Sequence, residues 1–296
     1  MRAPRGFVLV NALIIVAALS VVSVWLLSRA ETGRARAAAA QQAVQLELYL
    51  DAYEHLAITV LDRDLPVVDH LSEDWAREDL ELELDRGRIT GRIVDLNGRF
   101  NVNWLADPSN EAARAGFTRL AASLGVRSKT VETIIAQLSG SDELDQDARR
   151  GLVELPPMGP VVMIDQLPVP ASELALLRPY LAAMPSNSRL NVNTASELVI
   201  TSLLLPEGGP GVLSALLSRR EQEPYEAIGE FQEALLARMG EGFEEQLARV
   251  PLSVTSDWFM ARIVAELGDQ QATRLAIVRR NPLPAGAQVA YREDVW

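Results

Sequence analysis

The sequence predicts an α+β fold in which a long N-terminal helix lies on a small antiparallel sheet and a large all-helical domain is inserted between the strands. Three observations carry this expectation. Residues 7–28 contain no ionisable side chain and run without a turn signal into an alanine-rich helical stretch. Two separated segments, residues 80–103 and 251–281, alternate apolar and polar side chains, the period of half-buried strands. Between them, over residues 104–250, the apolar spacing changes to the roughly 3.6-residue period of helices. The economical topology puts both strand segments in one sheet; two separate sheets are the alternative.

The first element is the apolar stretch FVLVNALIIVAALSVVSVWLLS. As a helix it is about 33 Å long, enough to cross the hydrocarbon of a bilayer. Arg2 and Arg5 precede it, so a secretory signal cut near residue 30 and a retained anchor both fit the flanks. Length favours the anchor, since the apolar region of a signal peptide is about 7–15 residues. Beyond residue 28 the helix continues, with Gly33 the only glycine and a place for a bend. Leu46, Tyr49, Tyr53, Leu56 and Val60 recur at spacings of three and four, an apolar stripe that predicts a packing face. Together with exposed sheet edges, the stripe is the expected contact surface.

Residues 62–79 read as a connection or short helix. LELELD and RITGRIVD are strands joined at Gly87. Asn97-Gly98 is a turn signal leading into Arg99-Phe100-Asn101-Val102-Asn103, so residues 80–103 read as a meander. In that segment Phe100 and Val102 are packing residues, whereas Asn101 and Asn103 cap backbone groups. LSVTS after Pro251 is a strand. Phe259, Ala261, Ile263, Ala265 and Leu267 then share one strand face, with Trp258 on the other, and residues 271–280 return antiparallel. The tail, 282–296, reads as loop.

Within 104–250 the segments EAARAGFTRLAASLG, KTVETIIAQLS, ASELALLRPYLAAM, ASELVITSLLL, GVLSALLSRR and EFQEALLARMG are helix candidates. Arg189-Leu190-Asn191-Val192-Asn193 echoes residues 99–103, and Thr194 stands three residues before Glu197 as in a capping box. Residues 186–247 resemble a helix-hairpin-helix or SAM-like module. Such modules bind DNA through a Gly-x-Gly hairpin and nearby cations. Here the loop is Pro-Glu-Gly-Gly-Pro-Gly, followed by Glu221, Glu223, Glu226 and Glu230, which points to protein docking instead.

Composition narrows the function. Formal charge is −12, from 40 acidic and 28 basic residues, against a nucleic-acid partner. With no cysteine, zinc–thiolate, iron–sulfur, disulfide and thiol chemistry are excluded. Only His55 and His70 are present, and no serine elbow, zinc-protease or phosphate-loop motif occurs, so the chain reads as no enzyme. Asp142, Glu143, Asp145 and Asp147 form the densest carboxylate group. Two readings stand for it, a calcium site and a solvated acidic loop; no other cofactor is implied.

The order of a short basic leader, Arg5-Gly6, then Phe7 opening the apolar helix resembles the type IV prepilin and pseudopilin signal. The resemblance implies a cut by prepilin peptidase between Gly6 and Phe7, methylation of Phe7, a leader of residues 1–6 and a transmembrane helix over 7–28. Most members carry glutamate at the fifth mature position; this chain has Asn11, and the departure from glutamate resembles the minor pseudopilin GspK family of type II secretion systems. A carboxylate in lipid is costly unless paired, so a subunit with no neighbour above it is better served by an amide, and Asn11 marks a filament tip. GRIVDLNGRFNVNWL and the Asn191-Val192-Asn193-Thr194-Ala195-Ser196 segment are similar to the same family. The resemblance implies a type IV pilin-like fold, with the pseudopilin helix and first sheet part at 29–103 and the second part at 251–281. It also implies insertion in the inner membrane with the main domain periplasmic. The implied partners are two other minor pseudopilins, the major pseudopilin, the inner-membrane secretion platform and prepilin peptidase. Relatives hold calcium in the inserted region with a Trp-x-Asp-x-Asp segment that this chain lacks. A membrane-anchored DNA-uptake receptor and a minor pilin of a type IV pilus are the alternatives.

Overall fold

A computed structural model describes residues 5–64, 67–77, 80–139, 169–205 and 210–295. Helix α1 (Arg5–Arg63) is continuous through Gly33. Alanines 37–40 favour the helix, and Pro66 follows its end, where the residue before a proline is pushed out of helical geometry.

Five strands form one antiparallel sheet: β1 (Leu80–Leu84), β2 (Gly87–Asp95), β7 (Trp258–Leu267), β8 (Gln270–Arg280) and β9 (Ala287–Val295), in the order β1-β2-β7-β8-β9. Strand β2 pairs directly with β7, from Arg88↔Glu266 to Asp95↔Phe259. All of residues 96–257 therefore leave and re-enter between two neighbouring strands, as an insertion must.

The second half of α1 lies on one face of this sheet. Leu46, Leu50, Tyr53 and Ala57 pack on Ile89, Ala261, Ile263, Ala265, Ala272 and Ala276. Small residues beneath the helix let its backbone come close to the sheet. Gly91 is the extreme case, since a Cβ there would overlap the ring of Tyr53. Farther along, Leu61 meets Trp75 and Phe259, with the two rings edge to face at 5.2 Å. Trp258 lies on the opposite face with Leu96, Ala182, Met184 and Ile277, where the helical block meets the sheet.

The block contains β3 (Phe100–Asn101), α2 (Glu111–Ser123), α3 (Ser128–Ser139), α4 (Ala171–Leu177), β4 (Leu181–Ala182), β5 (Leu190–Asn191), α5 (Glu197–Leu204), α6 (Pro210–Gln222), α7 (Ile228–Met239), α8 (Glu244–Ala248) and β6 (Leu252–Ser253). Its core gathers Phe100, Trp104, Phe117, Leu203, Tyr225 and Phe231.

Four readings of the sequence are corrected. Phe100–Asn101 is not a third strand of the sheet; it pairs parallel with β4, and Phe100 is fully buried in the helical block. Likewise LSVTS contributes only β6, parallel to β5. The segment 171–184 is not one helix, because α4 yields to a 3-10 turn at Arg178–Tyr180 and then β4; Pro179 has no N–H to extend the helix. The tail is an edge strand, β9. A bulge between Ile277 and Val278 skips Ala290, so the usual alternation of faces is interrupted and the tail's pattern hid the strand.

Beneath α1 lies one buried cation. Arg274 is fully buried and bonds Asp51 (2.6 Å), Glu47 (2.5 Å) and Asp294 (2.6 Å), with Glu54 at 3.6 Å. Burial alone would disfavour its charge, but the bonds to Asp294, Asp51 and Glu47 win and raise its pKa. Arg292 adds a second clamp on Glu54. The two arginines thus tie β8 and β9 to the helix.

Two stability outcomes follow in chemical denaturation. Arg274→Ala should cost about 3 kcal/mol, because it leaves several carboxylates facing one another, while Arg88→Ala at the exposed ion pairs with Glu81 and Glu266 should change little. Gly91→Ala should cost about 1–3 kcal/mol through the clash with Tyr53.

Candidate functional site

From residue 9 to residue 44 every side chain of α1 is exposed. Leu9, Leu13, Val16, Leu19, Val21 and Trp25 each show more than half of their surface. This is the one helix among the described residues long and apolar enough to cross a membrane. Asn11 lies in the exposed part. Gly6 and Phe7 stand in its first turns, so the helix already begins on the leader side of the expected cut. The expected contact stripe lies elsewhere: Leu46 and Tyr53 are buried within the chain, and Tyr49, Leu56 and Val60 pack partly against the same cores. It forms the seam between helix and sheet.

The two Asn-Val-Asn motifs are built alike. Asn101 Oδ1 accepts the Asn103 N–H, and Asn191 Oδ1 accepts the Asn193 N–H. Each motif then reaches across the block. Asn101 grips Met184 N–H and Pro185 O, and Asn103 grips Met184 O. Asn193 takes Tyr225 N–H and donates to Tyr225 O, both at 3.0 Å, while Asn191 donates to Asp69 O and Ser256 Oγ. Thr194 does not cap α5; Ser196 does, accepting the Val199 N–H. The Thr194 hydroxyl is directed to Asp95 instead.

Asp95 is the centre of the junction between sheet and block. Buried at the end of β2, it accepts Thr194 Oγ1, Ser256 Oγ at 2.7 Å and the Asn97 N–H at 2.7 Å. Asn97-Gly98 does form a turn, closed by the Arg99 N–H on Leu96 O at 3.0 Å, but it joins no two strands of the sheet. Asn97 Oδ1 accepts the Asp257 and Trp258 N–H groups, and its Nδ2 donates to Arg189 O. Next to it, Arg280 binds Asp64 at 2.7 Å, Asp69 and the Ser256 carbonyl. Burial pushes the Asp95 carboxyl up to about 6, against the lowering by its hydroxyl donors; burial also raises Asp69, although Arg280 opposes it.

Asp64, Asp69 and Glu73 offer carboxylate oxygens within 4.8 Å of one another. Arg280 already neutralises the first two, and Glu73 accepts the His70 N–H and Trp75 Nε1–H. The calcium candidates Asp142, Glu143, Asp145 and Asp147 lie outside the described residues. On α6, the exposed Arg219 sits 5.1 Å over the Tyr225 ring, and the half-buried Arg220 donates to Val192 O. His55 and His70 make local contacts with Asp51 O and Ser72.

A family described as type II secretion system (T2SS), protein K, matches residues 190–255. Type II secretion system protein K of Pseudomonas aeruginosa is 27% identical, over 94% of this chain and 90% of its own length. Its counterparts from Aeromonas hydrophila and Pectobacterium carotovorum are 26% and 24% identical, over 92% and 90% of this chain. Over most of its length the chain is similar to type II secretion system protein K. In fold it is similar to a chain of the GspK-GspI-GspJ complex of enterotoxigenic Escherichia coli, with TM-score 0.69 and 21% identity over 88% of this chain and 99% of that one.

In this chain the matched segment begins at the second Asn-Val-Asn motif, and that motif was legible as a cap-forming repeat. Asp95, Ser256 and Arg280 were not singled out, and Asn97 was read only as part of a turn, because their partners lie far away in sequence. The one signal was an aspartate ending an apolar strand just before Asn-Gly.

The raised Asp95 pKa sets a sign. A carboxyl that holds its proton more tightly when folded contributes stability below pH 4, and that contribution is lost as pH rises through 6. Relative to Asp95→Asn, the native chain should therefore lose about 3 kcal/mol between pH 4 and pH 7, read from denaturant midpoints; a gain over that range would reverse the assignment.

Proposed function

We propose that this chain is a structural minor pseudopilin at the tip of the type II secretion pseudopilus, where it initiates filament assembly and supports export of folded proteins across the outer membrane. The observation that carries the reading is α1 itself. One unbroken helix is a bare apolar rod in its first part and the core of a folded domain in its second, in a chain similar to protein K. Such a rod is stable in lipid or against other rods and costly in water.

The chain enters the inner membrane with its N-terminus cytoplasmic and its sheet and helical block periplasmic. Prepilin peptidase cuts between Gly6 and Phe7 and methylates Phe7. Asn11 leaves no carboxylate requiring a partner above it. Its neighbours are two other minor pseudopilins, as GspK stands with GspI and GspJ in the Escherichia coli complex, then the major pseudopilin and the secretion platform. Subunit contact falls on the exposed length of α1, while the stripe from Leu46 to Val60 holds the domain to its own helix. The role is structural, without catalysis.

Mass spectrometry of the chain purified from membranes tests this. The expected N-terminus is Phe7 carrying one methyl group, with two smaller pseudopilins co-purifying. A start near residue 30, or a freely soluble domain, would overturn the assignment.

A further inference from the structure

Strand β1 covers β2 only as far as Gly91. Past that point a cavity of about 300 Å³ opens between β2, the turn at Asp74–Ala76 and the helical block. Arg92, Arg99, Trp75, Tyr180 and Leu71 stand around it, with Asp95 at its inner side. Arg88, Arg119, Arg220, Arg274, Arg280 and Arg292 each find an acceptor. Neither Arg92 nor Arg99 makes a side-chain hydrogen bond or ion pair among the described residues. In a chain of net charge −12, two guanidiniums without a hydrogen-bonded acceptor thus line one cavity.

Asp95 does not meet their need, because its oxygens are already taken by Thr194, Ser256 and the Asn97 N–H. Burial pulls the Arg99 guanidinium below its ordinary pKa; the attraction of Asp95 opposes this, and the repulsion from Arg92 adds a smaller push downward. A carboxylate relieves this directly, since planar guanidinium groups bind it with two parallel hydrogen bonds. The wall is not polar throughout. Trp75 and Ile93 line it, and Leu71 at its mouth is 60% exposed. A bare inorganic anion would leave that surface wet, whereas an acidic side chain flanked by apolar residues would cover it.

We infer that this cavity is a docking site for an acidic side chain, glutamate or aspartate with apolar neighbours, presented by a partner protein and held by Arg92 and Arg99. The inference goes beyond the filament role and stands without it.

The test uses the full-length chain in detergent micelles and the probe acetyl-Leu-Glu-Leu-amide, followed by thermal unfolding. At saturating peptide the midpoint should rise by about 2–4 °C. The Leu-Gln-Leu analogue should leave it unchanged, and Arg99→Gln and the more exposed Arg92→Gln should each abolish the rise while keeping the native circular-dichroism spectrum. No rise, an equal rise in both variants, or an equal rise with sodium sulfate would overturn the inference. So would a rise confined to a Glu78→Gln/Asp79→Asn variant, which would give the cavity to the chain's own acidic residues.

Discussion

The contact between the second half of α1 and the sheet is the constraint on which the rest of the molecule depends. The five strands are held to α1 by the apolar spine of Leu46, Leu50, Tyr53, Ala57 and Leu61, and the helical block stands on the opposite face of the sheet so held. The spine approaches closely because Gly91, Ala261, Ala265, Ala272 and Ala276 leave room. Replacing bulk with small residues on one partner is how close packing is reached at fixed backbone spacing. The same helix continues outward with nothing of its own chain against it.

Polar burial then fixes what apolar packing leaves free. Around Arg274, strands β8 and β9 are registered against α1 by charge. Around Asp95, three stretches far apart in the chain meet: the end of β2, the motif at 191–194 and Ser256 before β7. These are the exit and return of the insertion, so the hydrogen bonds there determine how the helical block stands on the sheet. Such groups stabilise only when each finds its partner, and nearly every polar atom at this junction does.

The paired Asn-Val-Asn motifs explain why a helical block can be entered twice in the same manner. In each, an asparagine closes a turn on its successor, and the second asparagine's amide holds a distant loop by its backbone. The short parallel ladders β3·β4 and β5·β6 accompany them. The echo in sequence is thus an echo in construction, and the second motif also reaches the junction with the sheet through Ser256 and Asp95.

What the sequence determined by itself was what depends on local periodicity. The ionisable-free run at 7–28, the alternation from Phe259 to Leu267 and the helical spacing between the strand segments are each written within a few turns of chain, so the long helix, the sheet and the insertion were all legible. Tertiary structure alone decided the partners. It placed Phe100 beside β4, took Thr194 from a helix cap to Asp95, turned the tail into β9 across a bulge, and used the Leu46–Val60 stripe inside the chain. The physical reason is the same in each case: a polar group is satisfied by whichever acceptor the fold brings near, and that choice is made across a hundred residues of separation rather than within a turn.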